Sequence, residues 1–562
     1  MNRIIECVPN FSEGRDRAVI DRISAAMEAI DGVSVLDVDP GAATNRTVVT
    51  IAGVPEAVLD AAVAGAKVAA ELIDMRQHSG EHPRFGAMDV CPLVPIAGVT
   101  MEETVEYART LAARLADEVG LTIYCYEHAA LIEERRNLAV VRAGEYEGLE
   151  KRLQDPRWKP DFGPSAFQAQ TGATAVSARD FLVAYNINLN TTSTRRANAI
   201  AFDVREKGRV KRAPDPLTGE IVKDADGNPV WEPGTLKAVK GIGWFIEEFG
   251  VCQVSMNLND IGITPVHTAF DEVVRASAAR GIRVTGSELV GLIPLRAMLD
   301  AGRHYLRLQQ RSTGVSDAEL IKIAVKSLGL DELYPFKPEE KIIEYVLAAQ
   351  DSRKRLVDLS VRGFVEETAS ESPAPGGGSV AANVGALGAA LGTMVANLSA
   401  HKRGWDHRWE EFSAWAEKGK ACHDELLQLI DRDTDAFTDI MNAWRLPDGT
   451  DAEKAGKEEA VQAAVHGAIQ VPLRIMEVAL ESMGVAEAMA KDGMKASLSD
   501  AAVGALCART AVLGAGFNVR INVGDLSDQA AKESYIQQAA AIAAAAEERE
   551  AKVRAFVEES LS

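Results

Sequence analysis

The sequence is short of cysteine and of positive charge. Six cysteines are scattered over 562 residues as Cys7, Cys91, Cys125, Cys252, Cys422 and Cys507, with no C-x-x-C among them. That spacing argues against a cysteine-clustered zinc module and a stapled secreted scaffold; reduced thiols in a cytoplasmic setting are expected. Lys and Arg number 61 against 82 Asp and Glu, a net charge of -21. Nucleic-acid binding depends on neutralising phosphates with basic side chains, so no nucleic-acid partner is expected. A small anionic substrate needs only a local basic pocket and stays possible. No apolar signal core follows Met1-Asn2-Arg3-Ile4-Ile5-Glu6-Cys7. Neither G-K-[ST] nor H-E-x-x-H occurs, which removes the P-loop and the zincin helix.

One run, residues 376–398, has no charge and is long enough to span a membrane. It is mostly Ala and Gly and includes Ser379, Asn383, Thr393 and Asn397, so a buried packing helix is expected rather than a membrane span.

What is present is a change of rhythm along the chain. Short apolar runs at residues 4–8, 33–38, 47–51, 91–96 and 121–126 alternate with helical stretches, and a second such unit begins near Phe181. Both halves read as β-α-β-β-α-β, which predicts a multidomain fold of two ferredoxin-like α/β units followed by an all-α helical bundle. The expected boundaries are 1–179, 180–330, a linker over 331–355, and a helical domain over 356–562. Residues 209–235 are turn-rich and look inserted. The Asp/Asn spacing from Asp224 faintly resembles a calcium loop, but Thr235 stands where the terminal Glu is needed, so a solvated hairpin is expected.

Chemical groups are densest in residues 74–92, where Gly80, Pro83 and Gly86 break any helix. His78 and His82 are four apart, but on a broken backbone this spacing does not present a metal face, and a salt-bridged surface loop is the plain alternative. In the helical half, Gly376-Gly377-Gly378-Ser379 precedes a helix and serves either close packing or an anion near the helix terminus.

Several long motifs together carry a resemblance. Ile5-Glu6-Cys7-Val8-Pro9-Asn10-Phe11-Ser12-Glu13-Gly14, Asp37-Val38-Asp39, Thr44-Asn45-Arg46-Thr47-Val48, the loop 74–92, Trp158-Lys159-Pro160-Asp161-Phe162-Gly163-Pro164-Ser165, Asn186-Ile187-Asn188-Leu189, Gly241-Ile242-Gly243-Trp244 and Val290-Gly291-Leu292-Ile293-Pro294 resemble glutamate formimidoyltransferase. Ala374-Pro375-Gly376-Gly377-Gly378-Ser379-Val380-Ala381-Ala382 and Gly514-Ala515-Gly516-Phe517-Asn518-Val519-Arg520-Ile521-Asn522 resemble formimidoyltetrahydrofolate cyclodeaminase. The order is that of the fused family, and 209–235 departs from its animal forms.

The resemblance implies transfer of a formimidoyl group from N-formimidoyl-L-glutamate to tetrahydrofolate, then ring closure to 5,10-methenyl-tetrahydrofolate with release of ammonia, in histidine degradation. Tetrahydrofolate, (poly)glutamylated in the cell, is substrate and carrier, and no metal is implied. The family pattern places the acid–base role on His82, an imidazole suited to taking and returning a proton near neutral pH. Asp39 is implied as an orienting or electrostatic partner. Folate contacts are implied at Gly163, Pro164, Ser165, Ala166, Phe167, Gln168, Ala169, Gln170, Thr171 and Gly172. For the second step the match falls on Asp431, with Asp433 and Asp435 as alternatives. On a helix Asp431 and Asp435 share a face and Asp433 points away. A ring-like homo-oligomer without membrane attachment is implied. The readings left beside this one are a non-catalytic folate-binding scaffold and a transferase with a silent helical half.

Overall fold

The computed structural model describes residues 3–42, 45–80, 84–214, 219–350 and 354–562. In chain order the first α/β part comprises β1 (Ile4–Cys7), β2 (Asn10–Phe11), α1 (Arg17–Glu28), β3 (Val33–Gly41), β4 (Arg46–Gly53), α2 (Pro55–Leu72), β5 (Met88–Ala97), α3 (Met101–Val119), β6 (Thr122–Glu127), α4 (Leu138–Val141), α5 (Glu145–Arg152) and β7 (Ala173–Ala178). Local chemistry sets the ends of α3. Thr100 and Glu103 form a reciprocal capping box, and Gly120 closes the helix with φ of 79°.

β1 and β2 act as one strand broken at Val8-Pro9, since both pair with β4 on one side and β5 on the other. β3 flanks β4, while β7 and then β6 extend the sheet in parallel beyond β5. β5 therefore sits inside the sheet, and Met88 to Ile96 are all buried. β7 has no counterpart in the reading of the sequence. Its Ala-Thr-Ala-Val-Ser-Ala composition carries little strand signal, and only its position between β5 and β6, with all six residues buried, makes it a strand.

The second part runs β8 (Val183–Leu189), α6 (Thr194–Val204), β9 (Arg209–Val210), β10 (Arg212–Ala213), β11 (Glu220–Ile221), β12 (Trp231–Glu232), β13 (Val239–Ile246), β14 (Val251–Leu258), α7 (Val266–Ala278) and β15 (Val284–Val290). Its sheet has the order β13-β14-β8-β15, antiparallel throughout. In both parts the opening strand lies between the third and fourth strands of its β-α-β-β-α-β run, with the second strand outside the third. The insertion forms the short ladders β9–β12 and β10–β11. Asp224 there accepts from the amides of Asp226 and Asn228 at 3.0 and 2.9 Å, as in an Asx turn.

Next come α8 (Leu295–Leu308), α9 (Asp317–Leu328), α10 (Pro338–Lys341) and α11 (Ile343–Gln350). The helical part continues with α12 (Val361–Thr368), α13 (Gly377–Ala400), α14 (Trp409–Trp444), α15 (Asp451–Asp492), α16 (Leu498–Asn522) and α17 (Gln529–Leu561). The chain divides into two compact units, Met1–Met298 with Val325–Asp351, and Leu299–Ala324 with Ser352–Ser562. This grouping differs from the expected boundaries at two places. Over 338–350 the expected linker is folded onto the first unit, where Ile342 and Ile343 are fully buried and Ile343 N–H donates to Ile293 O at 3.1 Å. Residues 299–324 group with the helices, because Thr313 N–H donates to Ser413 Oγ at 3.0 Å and Asn397 Nδ2 donates to Gly314 O at 2.8 Å.

Small residues set the helix spacing in the second unit. Gly388 of α13 and Gly504 of α16 oppose each other: a Cβ on either would lie 2.7 or 2.9 Å from the other's carbonyl oxygen. By length and composition alone α13, α15 and Lys495–Asp525 satisfy a membrane span, yet 61%, 50% and 44% of their apolar windows are buried within the protein. About half of each is thus covered by its neighbours.

The Gly241-Ile242-Gly243-Trp244 motif has a packing cause. A Cβ at Gly243 would lie 2.7 Å from Ala197 Cβ of α6, and Asn198 bridges to the Gly243 amide at 3.0 Å and its carbonyl at 2.8 Å. Gly243→Ala is therefore expected to cost the first unit about 1–3 kcal/mol, the usual scale of overpacking. Gly241→Ala, whose Cβ would meet Met256 Cγ at 3.3 Å, should cost less. Denaturant unfolding of the two variants, followed by fluorescence, measures the difference.

Candidate active site

Three of the sequence motifs meet at the start of β5. Asp89, fully buried, takes Phe85 N–H at 2.8 Å on Oδ1, and on Oδ2 the guanidinium groups of Arg46 and, at 2.7 Å, Arg142. Arg46 also donates to Asn10 Oδ1 at 3.0 and 2.7 Å. Ser12 Oγ donates to Gly86 O at 2.7 Å. Asn45 has φ of 48°, a region Asn tolerates. Its side chain accepts from Gly14 N–H and donates to Ser79 O, each at 3.0 Å.

His78 is held at both ring nitrogens. Nε2 lies 2.7 Å from Asn45 O, so it carries the proton, and Nδ1 accepts from Arg84 Nε at 3.1 Å. Burial, helped by the Arg84 charge, lowers its pKa below the ordinary imidazole value. With both nitrogens committed, His78 is a neutral positioning group and offers no lone pair to a metal. His82, between Glu81 and Pro83, lies outside the described residues. Its flanks are fixed by Asn45–Ser79 on one side and by Arg84 on the other, whose guanidinium pairs with Glu147.

The segment expected to contact folate is anchored to this loop by its backbone. Met75 N–H donates to Gln170 O at 2.9 Å, Ala87 N–H to Thr171 O at 2.8 Å, and Gly86 bridges to Gly172. Phe167 packs on Tyr146 with ring centroids 5.6 Å apart, while Ser165 and Ala166 are exposed. The motif before it is an anchor. Asp161 forms a buried ion pair with Arg135 and accepts Cys125 N–H at 2.7 Å. Pro164 O accepts from Thr122 Oγ1 at 2.9 Å, and Gly163, at φ of 79°, lies against the Leu121 carbonyl.

Asp39 is exposed on β3, opposite Val48 of β4. Asp37, two residues before it, lines a cavity of about 390 Å³ together with Glu6, Thr50, Arg179, Gly291 and Lys341. Glu6 is a group the sequence reading passed over as part of an apolar run. Burial pushes its pKa up to about 7, against the lowering effect of Arg179. A carboxylate among Ile4, Ile5, Cys7 and Val8 was the signal for it. Asn188 and Gln253, both buried, form a further polar chain: Trp244 Nε1 donates to Gln253 Oε1 at 3.1 Å, Gln253 to Asn188 at 2.9 Å, and Asn188 to Glu332 at 2.6 Å.

In the helical unit the two recognised motifs and the acidic helix converge. Ser379, at the start of α13, donates its amide at 2.8 Å and its hydroxyl at 3.0 Å to Asp433 Oδ2 of α14. A Cβ on Gly378 would strike the Asp433 carboxylate, and one on Gly377 would lie 3.3 Å from Asn518 Nδ2 of α16. Burial raises the pKa of Asp433 above the usual carboxylate range, outweighing the Ser379 bonds. Its Oδ1 accepts no hydrogen bond from the described residues. Asp431 instead accepts Leu356 N–H at 2.6 Å on Oδ1. Asp435 is exposed. The Gly-rich run thus serves close approach: it admits a carboxyl group to the helix N-terminus.

Family models match the chain in sequence order: the formiminotransferase domain, N-terminal subdomain, over residues 4–179; the formiminotransferase domain over 184–348; and formiminotransferase-cyclodeaminase over 360–541. The chain is 42% identical to the formimidoyltransferase-cyclodeaminase of Rattus norvegicus over 533 residues, 95% of each chain. It is 41% identical to the glutamate formimidoyltransferase of Thermoplasma acidophilum over 308 residues, 54% of this chain and 93% of that one. The methenyltetrahydrofolate cyclohydrolase of Methylorubrum extorquens is 35% identical over 179 residues, 32% of this chain and 86% of that one.

Glu6 gives the first unit a pH signature. Its folded pKa is raised, so its contribution is fully present below the unfolded value near 4.5 and is lost as pH rises through about 7. The loss over that window is roughly 3 kcal/mol. Denaturant unfolding across pH 4.5–7 should show this slope in the wild type and lose most of it in Glu6→Gln.

Proposed function

Because the chain belongs to the formimidoyltransferase-cyclodeaminase family, we propose that it carries out both of the family's reactions. The first unit moves the formimidoyl group from N-formimidoyl-L-glutamate to tetrahydrofolate. The helical unit closes 5-formimidoyl-tetrahydrofolate to 5,10-methenyl-tetrahydrofolate and expels ammonia. The observation that carries the transferase reading is the backbone attachment of residues 170–172 to the loop at Met75, Gly86 and Ala87, which sets the segment proposed to contact folate beside the loop to which His82 belongs. The repeated strand wiring supports a ferredoxin-like description of both α/β parts. Six free thiols support a cytoplasmic setting, and exposed Leu387, Met394 and Leu398 along α13 support a homo-oligomer.

In the transfer the folate nitrogen loses a proton as it attacks and the glutamate nitrogen gains one as it leaves. An imidazole serves both steps in turn, and His82 takes this role. His78, already bonded at both nitrogens, cannot exchange a proton without breaking one of those bonds. Asp39 is the electrostatic partner, exposed on its strand. His82→Ala is expected to lower glutamate release by about 10²–10⁴-fold while ammonia release from supplied 5-formimidoyl-tetrahydrofolate persists. His78→Ala should do less to turnover and more to stability. Equal losses in both variants would discard the assignment.

In the second step an acid must protonate the departing nitrogen. Asp431 takes this role by family position. A second reading rests on one observation: Asp433 is the carboxyl buried at the Gly-rich terminus of α13, with a raised pKa and one oxygen free of described donors. A carboxyl with a raised pKa keeps its proton to higher pH than a free one, which suits it to proton donation. Asp431→Asn is expected to abolish methenyl-folate absorbance with glutamate release intact. If it does not and Asp433→Asn does, the acid is Asp433. Methenyl-folate at the wild-type rate in both leaves Asp435 as the remaining candidate. Absence of both activities in the wild type would leave the folate-binding scaffold.

A further inference from the structure

We propose that the cavity between α6 and the 209–232 insertion is a binding site for a small polyanion carrying a flat ring, the chemistry of a nucleoside triphosphate. The cavity measures about 720 Å³, within the range of small-molecule sites, and lies in the first unit apart from the site described above. Six guanidinium groups line it, from Arg195, Arg196, Arg205, Arg209, Arg212 and Arg280, and among the described residues no carboxylate does. In a chain of net charge -21 this is a concentrated reversal of sign.

The arginines are only partly compensated. Asp203 is shared by Arg209 and Arg280. Glu232, across the ladder from Arg209, lies 3.7 Å from Lys211. Arg205 donates to the Gly208 and Gly241 carbonyls at 2.9 and 3.3 Å, and Arg212 to the Gly219 carbonyl at 2.9 Å. Neutral carbonyls fix these groups without cancelling their charge. The side chains of Arg195 and Arg196 make no hydrogen bond or ion pair with any described residue. Burial lowers the pKa of Arg205, Arg209 and Arg280, the direction expected for partly desolvated cations.

Two aromatic side chains supply the apolar part of the wall. Phe202 has the Arg205 guanidinium 4.0 Å from its ring centre, and Trp231 has Lys207 Nζ at 4.3 Å. Trp231 is 42% exposed, although β12 fixes its backbone opposite Val210. A rigid, partly exposed indole beside clustered guanidinium groups matches a base for stacking and phosphates for bidentate hydrogen bonds. Such a ligand would be held by side chains, since the sequence has no phosphate loop.

Isothermal titration of the full chain with ATP, inorganic triphosphate, adenosine and tetra-γ-glutamate tests this. ATP is expected to bind saturably and more tightly than triphosphate, adenosine weakly, and affinity should fall as salt is raised. Arg195→Ala/Arg196→Ala, altering two exposed side chains, should weaken ATP and triphosphate by about tenfold or more and leave glutamate release unchanged. Trp231→Ala should weaken ATP but not triphosphate. Three results would each overturn the proposal: no saturable binding at millimolar ATP, ATP binding indifferent to the double substitution, or tetra-γ-glutamate binding more tightly than ATP.

Discussion

The transferase unit depends on one buried carboxylate. Asp89 is inaccessible to solvent, and it gathers Arg46 from the start of β4, Arg142 from the end of α4 and the Phe85 amide from the loop before its own strand. Removing the Asp89 carboxylate would leave two guanidinium groups uncompensated in a low-dielectric setting, a situation that typically costs about 3–5 kcal/mol. Arg46 reaches on to Asn10, and the same strand break places Ser12 on Gly86. Four segments far apart in sequence therefore cannot move independently. A loop of this kind needs such a frame, because its described residues, 73–80 and 84–87, lie in no helix or strand that would hold them.

The helical unit meets the same need by different means. Its constraint is steric: Gly378 leaves space for Asp433, Gly388 and Gly504 let α13 and α16 touch, and Gly385 would bring a Cβ to 3.1 Å from Ala511. The close approach carries an electrostatic consequence. A carboxyl brought to a helix start receives backbone and hydroxyl hydrogen bonds that favour its ionised form, while burial favours the neutral one. Burial prevails at Asp433. The outcome is a carboxyl with a raised pKa placed by glycines, which have no chemistry of their own.

Periodicity and punctuation made most of the architecture legible. Alternating runs and turn residues marked the strands and helices of both α/β parts, and the Ala-rich rhythm marked the bundle. What was not legible had specific causes. β7 is a strand because parallel neighbours complete its ladder, and its small residues carry no such instruction by themselves. Ile342 and Ile343 fell within the expected linker 331–355 but are buried against Ile293. Glu6 looked like an interruption in an apolar strand, whereas its burial beside a cavity raises its pKa to about 7.

The sequence by itself determined most of the elements, the two classes of domain and the motifs that mark the family, because local propensity and residue spacing are written along the chain. It also put His78 and His82, and Asp431 and Asp433, within a few residues of each other. Only the tertiary structure separated the members of the second pair and fixed the state of His78. Which imidazole nitrogen carries a proton depends on Asn45 and Arg84, and which carboxyl meets the Gly-rich helix start depends on Ser379. The six arginines around the α6 cavity belong to this class too. They lie between residues 195 and 280, and only the antiparallel return of β12 onto β9 and the packing of α6 against α7 turn them from a dispersed excess of charge into one site. Protonation, burial and charge density are set by neighbours in space, and those neighbours are distant in sequence.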